Sequence, residues 1–174
     1  HIPGTNATDS GEFLKNRCSE ILNTLNLTHS IDDSEIVINT ERWSNKNIYS
    51  LHQLGNCFIT ASRGEGWCLP ASDALGFGKP LICTQSTSPC EFVEPNITGL
   101  CVMSDWDNVY GSGVNIEGIY THNESWYNPK LWHLRKQMRK AVTHKFDRKK
   151  CMETAFKYSR EKVGNEISRI LHNN

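Results

Sequence analysis

Four continuous apolar runs recur about 20 residues apart and constrain this chain more than any other feature: residues 35–39, 57–60, 80–83 and 99–103. Runs such as Ile36-Val37-Ile38 and Leu81-Ile82-Cys83 do not alternate with polar residues, so they read as strands buried on both faces. Between them lie helical patterns at about 47–54 and 69–77, with a shorter one near 89–94. Strands of this kind, alternating with helices, predict a parallel α/β sheet rather than a sandwich or a bundle. Upstream, Phe13, Leu14, Cys18, Ile21, Leu22 and Leu25 form the stripe of an amphipathic helix. Downstream, residues 104–129 show no period and read as a long loop. A helix carrying Leu131, Leu134, Met138 and Val142 follows, then a last one carrying Met152, Phe156, Val163, Ile167 and Ile170.

A length of 174 residues suits one core. Nineteen basic side chains against nineteen acidic ones leave no global attraction to nucleic acid, which is excluded as a partner. No window approaches a membrane span and His1-Ile2-Pro3-Gly4 opens no signal peptide, so the chain reads as soluble and cytoplasmic, and as cut from something longer. Between Lys130 and Lys150 nine basic residues face the single acid Asp147. They read either as a patch for anionic lipid headgroups, a peripheral membrane contact, or as a solvated helix face. Seven cysteines form no CxxC pair, which argues against a zinc site or a disulfide framework. Cys57, Cys83 and Cys101 sit in apolar runs and read as small hydrophobes filling the core.

The informative segment is Ser62 to Pro80. Gly64 and Gly66 permit a sharp turn and close approach to a ligand, and Pro70 suits the first turn of a helix. The amides of Gly66, Trp67, Cys68 and Leu69 are therefore expected at a helix N-terminus, where unpaired donors and the helix dipole attract phosphate. Glu65 precedes that helix and Asp73 lies about one turn inside it, so both can face one crevice at the carboxyl end of the strands. Carboxylates suit vicinal hydroxyls, and a phosphate held between two hydroxyl-bearing rings describes a nucleotide sugar. The other reading is that Asp73 merely favours the helix dipole and Glu65 is a loop charge.

Glu65-Gly66-Trp67-Cys68-Leu69-Pro70, Asp73, and Gly76-Phe77-Gly78-Lys79-Pro80-Leu81-Ile82 together resemble the signature of retaining glycosyltransferases of family four, of GT-B fold. The likeness covers about residues 35–103, from Ile48-Tyr49 upstream to Thr98-Gly99-Leu100 downstream, with Glu124-Ser125-Trp126 and Met138-Arg139 as fainter echoes. The resemblance implies an α/β, Rossmann-like parallel sheet, the C-terminal donor-binding domain of GT-B, over residues 1–174 with C-terminal helices at 130–174. Glu65 would be the catalytic-site residue that positions the donor sugar, and Asp73 would bind the ribose. The amides of Gly66, Trp67, Cys68 and Leu69 would contact sugar and diphosphate, while Thr40 to Trp43 would border the base. No cofactor and no metal are implied. The partners would be a nucleotide-diphosphate sugar, a glycan, lipid or protein acceptor, and an N-terminal GT-B domain.

Three departures stand out. Asp73 is one methylene shorter than the usual Glu, and Ser86-Thr87-Ser88 replaces a common Gly-Gly. The likeness also begins only after the first two strands of the domain, so the chain reads as a fragment whose sheet lacks them. Two alternatives stay open: a non-catalytic nucleotide- or glycan-binding scaffold module of the same fold, and a nucleotide-sugar epimerase.

Overall fold

A computed structural model describes residues 7–24, 37–109 and 123–172. The chain packs as two compact units, residues 1–48 and 49–174. In the first unit, α1 (Ala7–Thr24) is the predicted amphipathic helix, and Gly11 lets it approach the side chain of Thr40. The strand expected at 35–39 does not form over 37–39, which is irregular with Val37 exposed; residues 35 and 36 lie outside the described part. A strand requires a neighbouring ladder for its N–H and C=O groups, and no described segment supplies one here.

In the second unit, α2 (Asn45–Leu54, its start in the first unit) leads to β1 (Phe58–Thr60), α3 (Leu69–Gly76), β2 (Leu81–Thr84) and β3 (Gly99–Val102). A 3-10 turn at Ser88–Phe92 stands where a short helix was expected. The three strands are parallel in the order β1-β2-β3, with Phe58 opposite Leu81 and Leu81 opposite Gly99. β2 is central and buried throughout, as its unbroken apolar run predicts, whereas Ile59 of β1, whose outer edge pairs with no other described strand, is 41% exposed. Because side chains alternate, the sheet has two apolar faces. One packs Leu81 with Ala71, Ala74 and Leu75 of α3, Phe92 and Cys151. The other packs Ile82, Leu100 and Val102 against Leu134, Ala141 and Phe146.

α3 ends in a Schellman motif: Lys79 N–H donates to Ala74 C=O, Gly78 N–H donates to Leu75 C=O, and Gly78 takes φ +70. This is the physical content of the Gly-Lys-Pro sequence between helix and strand. Lys79, nearly buried, donates Nζ to the Gln53 carbonyl at 2.9 Å, tying β2's entry to α2.

Of residues 104–129, expected as a long loop, 110–122 lie outside the described part, and the described ends are strands. β4 (Ser104–Asn108) and β5 (Ser125–Pro129) pair antiparallel, with Trp106 directly opposite Tyr127 and their rings 4.7 Å apart. A cross-strand aromatic pair offsets the poor strand propensity of the Asp and Asn around it. After α4 (Leu131–Thr143), the single last helix expected from the sequence is two, α5 (Arg148–Phe156) and α6 (Arg160–His172). Ser159 separates them, its Oγ accepting from Lys162 N–H as a cap. Among the described residues no helix is long and apolar enough to cross a membrane.

Candidate functional site

Parallel strands send their following loops to one edge, and the crevice outside that carboxyl edge is where open α/β sheets take ligands. The loops after β1 (61–68) and β2 (85–87) are neighbours there. The first is fixed at both ends. At Arg63, the carbonyl accepts from Tyr127 N–H (3.2 Å), Nε donates to Asn128 Oδ1 (3.1 Å), and the guanidinium lies over the Trp126 ring, 4.7 Å from its centroid. At Trp67, the indole sits edge-on to Phe92 (4.9 Å) and Tyr158 (5.0 Å). Between these anchors Gly64-Glu65-Gly66 makes no hydrogen bond with another described residue. A Cβ on either glycine would meet nothing within 4 Å, so backbone approach by a ligand is unobstructed. Sequence spacing singled out the glycines and Glu65, but gave no sign that Arg63, Trp126, Asn128, Phe92 and Tyr158 hold them.

α3 begins with an unusual residue. Cys68, not a glycine, takes the left-handed conformation (φ 61, ψ 71), and its carbonyl accepts from Ala71 N–H at 2.9 Å. No side chain caps this end. The N–H groups of Gly66, Trp67, Cys68 and Leu69 donate to no described residue. Such unpaired donors with the helix dipole behind them are a site for negative charge. The Cys68 thiol itself packs inward against the α3 core, where burial raises its pKa.

Glu65 and Asp73 are both exposed, and neither carboxylate makes a hydrogen bond or ion pair with a described residue. Asp73 lies beyond the first helical turn, where the dipole effect has faded, so it is not explained as a dipole partner. It lines a groove of about 1070 Å³ together with Trp67 and Leu69, walled by Phe77, Phe156 and Arg160. The structure thus gathers Trp67, Leu69 and Asp73 on one groove and leaves Glu65 at the loop tip, outside its lining. A second groove of about 670 Å³, lined by Ile59, Ile82, Met138, Val142 and Phe146, holds none of these residues.

The loop after β2 holds another left-handed residue that is not a glycine. Ser86 takes φ +67, a conformation that costs a residue with a Cβ about 1–2 kcal/mol. Replacing Ser86 by Gly is therefore expected to stabilise the protein by about 1 kcal/mol, read as a higher urea midpoint at unchanged slope. Two hydroxyls flanking this loop, Thr84 Oγ1 of β2 and Ser88 Oγ of the 3-10 turn, are buried without a partner among the described residues. Directly behind it three thiols meet, a juxtaposition that sequence spacings of 7 and 11 residues concealed. Cys90 is pulled well below the ordinary thiol range because Cys101, Cys83 and Ser86 N–H donate to its sulfur. Cys83 is pushed up by its hydrogen bonds to Cys101 and Cys90 and by burial. Cys101 is lowered by Cys83, but its bond to Cys90 and its burial outweigh this and carry it to about 12. Cys83 thus keeps the buried core place its apolar run predicts, and together with half-buried Cys90 and Cys101 it also forms a three-sulfur cluster.

Other polar and basic residues have plain structural places. His52 is buried, its ring stacked on Phe77 (5.8 Å) and tilted on Phe58 (5.9 Å). Of the basic run, Lys130 pairs with Asp105 at 2.9 Å, Lys140 donates to Asn96 Oδ1, and Lys149 and Lys150 each approach Glu153 at 3.8 Å. Arg135, Lys136 and Arg139 stay exposed on α4. Thr40 to Trp43 belong to the first unit.

Residues 25–109 match the family model described as glycosyl transferases group 1, a span just under half of the chain. It includes β1, α3, β2 and β3, hence both acids and the amide cluster between them. No curated protein and no solved structure matches the chain at a significant level. The match supports glycosyl transfer in general terms, and the parallel sheet flanked by helices is consistent with a Rossmann-like glycosyltransferase domain.

Proposed function

We propose, taking the group 1 glycosyltransferase match as premise, that this chain is the donor-binding part of a retaining glycosyltransferase of the family-four type. The observation that carries this reading is a run of four unpaired amides, Gly66 to Leu69, flanked by two carboxylates with no partner among the described residues. The diphosphate would lie on the amides, where oriented N–H donors and the α3 dipole offset its charge. Glu65 would accept from hydroxyls of the donor sugar, and Asp73, from its groove, would accept from the ribose hydroxyls. Departure of the sugar leaves negative charge on the diphosphate. Donors already aimed at that position lower the barrier because they need no reorganisation at the moment of transfer. Glu65 orients the sugar and is not asked to be a nucleophile, which suits its open position on the loop.

On this reading no metal is needed for the transfer, and the glycan, lipid or protein acceptor is held by a separate N-terminal domain. The free edge of β1 is where the two remaining strands of the sheet would pair. The exposed Arg135, Lys136 and Arg139 favour an acceptor or surface carrying anionic headgroups. One observation favours a non-catalytic nucleotide-binding module instead: Asp73 is a methylene shorter than the usual acid.

The test is calorimetric titration of UDP, GDP and ADP, each with and without its sugar, into the intact protein. One base is expected to bind selectively. Asp73→Ala should weaken the nucleotide by about tenfold, near 1.4 kcal/mol, and Glu65→Ala should remove only the increment due to the sugar. Nucleotide binding without turnover of any donor would favour the non-catalytic module. No nucleotide binding at all would end the donor-site reading.

A further inference from the structure

The three thiols behind the β2 loop are placed by the sheet itself. Cys83 of β2 and Cys101 of β3 are register partners in adjacent parallel strands, so their side chains leave the same face side by side. Cys90 comes over them from the 3-10 turn, which is fastened by Cys90 N–H to Thr87 C=O at 2.9 Å and by Thr87 Oγ1 to Thr84 C=O at 2.8 Å. The three sulfurs lie within 4.8 Å of one another, with Cys90 and Cys101 closest at 2.6 Å. Cys83 is fully buried, while Cys90 and Cys101 are half-buried and leave a path from solvent. Among the described residues no His, Asp or Glu joins the cluster.

We propose that Cys83, Cys90 and Cys101 form a three-sulfur site for one soft d10 cation, Zn2+ or Cu+. Thiolate ligands select such ions over Mg2+ or Ca2+. A Cys90–Cys101 disulfide would use only two of the three sulfurs, so it is the competing outcome that the experiment separates from metal binding. With metal–sulfur bonds of about 2.3 Å, three sulfurs around one ion stand about 3.8–4.0 Å apart. Cys90 and Cys101 therefore separate by somewhat more than 1 Å, which the turn carrying Cys90 can supply, while Cys83 stays within its present range. For Zn2+ meeting three thiols, three Zn–S bonds form, three S–H bonds break, three protons go to solvent and no electron is transferred. The bound ion would fasten the Ser88–Phe92 turn to β3 directly beneath the loop that carries Ser86. This inference stands independently of the donor-site reading.

The experiment uses the intact, reduced protein stripped by a chelator and titrated with Zn2+ or, under reducing conditions, with Cu+ against a competing chelator. Cd2+ serves as the reporter of sulfur-to-metal charge-transfer absorption. One equivalent is expected, with proton release seen by a pH dye, and the two arms tell which ion the site prefers. Cys90→Ser and Cys101→Ser should each lower the affinity by at least about tenfold, whereas Cys18→Ser, outside the cluster, should not. Circular dichroism of these two half-buried variants shows that the fold is retained, so the test does not depend on Cys83→Ser. Absence of binding, or binding that survives both substitutions, would overturn the proposal. So would a Cys90–Cys101 disulfide found by peptide mapping of protein whose thiols were blocked at lysis.

Discussion

Gly99→Ala should cost more than about 3 kcal/mol, enough to remove a large part of the 5–15 kcal/mol typical of a folded domain. A Cβ built at Gly99 would stand 2.3 Å from the carbonyl oxygen of Leu81, 3.0 Å from its nitrogen and 3.1 Å from its carbonyl carbon. All three are backbone atoms, so no side chain can swing aside. Nor can the backbone retreat, because Leu81 is held in the central strand between β1 and β3. Relief requires β3 to move off β2, which stretches the Leu81 N–H to Thr98 C=O bond, now 3.0 Å. Overpacking of this kind costs about 1–3 kcal/mol and each lost hydrogen bond about 1 more. Gly164→Ala is the control: nothing lies within 4 Å of its Cβ position and it sits inside α6, so it should stabilise by up to about 1 kcal/mol. Urea unfolding of both variants checks the pair, and a Gly99→Ala midpoint shift worth less than 0.5 kcal/mol would show that β3 can slide. Because Cys83 and Cys101 meet only through this register, Gly99→Ala should also scatter the three thiols.

That Gly99 matters so much was legible only in part. The unbroken apolar runs gave β1, β2 and β3 because a strand buried on both faces has no polar side to interrupt its pattern. The glycines and Pro70 gave the loop and the start of α3 for local reasons, which a sequence displays directly. What stayed hidden depends on partners distant in the chain. β4 carries Asp105, Asp107 and Asn108, and its ladder with β5, where Trp106 meets Tyr127, outweighs their poor strand propensity. Residues 37–39 carry a fine strand pattern and form none, since propensity without a neighbour leaves backbone groups unpaired. The cysteines, scored as spacings, suggested no site; register then laid Cys83 against Cys101 and the turn brought Cys90 to both. For the candidate site, sequence named the acids and the amides but not their supports, because Arg63 and Trp67 are anchored by residues 25 to 91 positions away.

Those supports can be tested at Trp67. Its ring contacts two others, Phe92 of the 3-10 turn and Tyr158 between α5 and α6, which touch each other at 5.3 Å. One side chain thus ties the candidate site loop to two other segments. Truncating a fully buried Trp costs about 3–5 kcal/mol. Trp67 is 39% exposed, so Trp67→Ala should cost less, about 2 kcal/mol, of which the two edge contacts contribute about 0.5–1.5 kcal/mol each. Loss of the anchor also frees the backbone that presents the amides, so a nucleotide diphosphate would then have to order it on binding, and its Kd should rise by about tenfold. Trp67→Phe keeps an edge for Phe92 and Tyr158 and should restore most of both quantities. The comparison separates anchoring from contact. If Trp67→Ala abolished binding while leaving the urea midpoint unchanged, the indole would be a surface for the ligand rather than the pin of its loop, and the diphosphate would have to lie across the groove that Trp67 shares with Asp73.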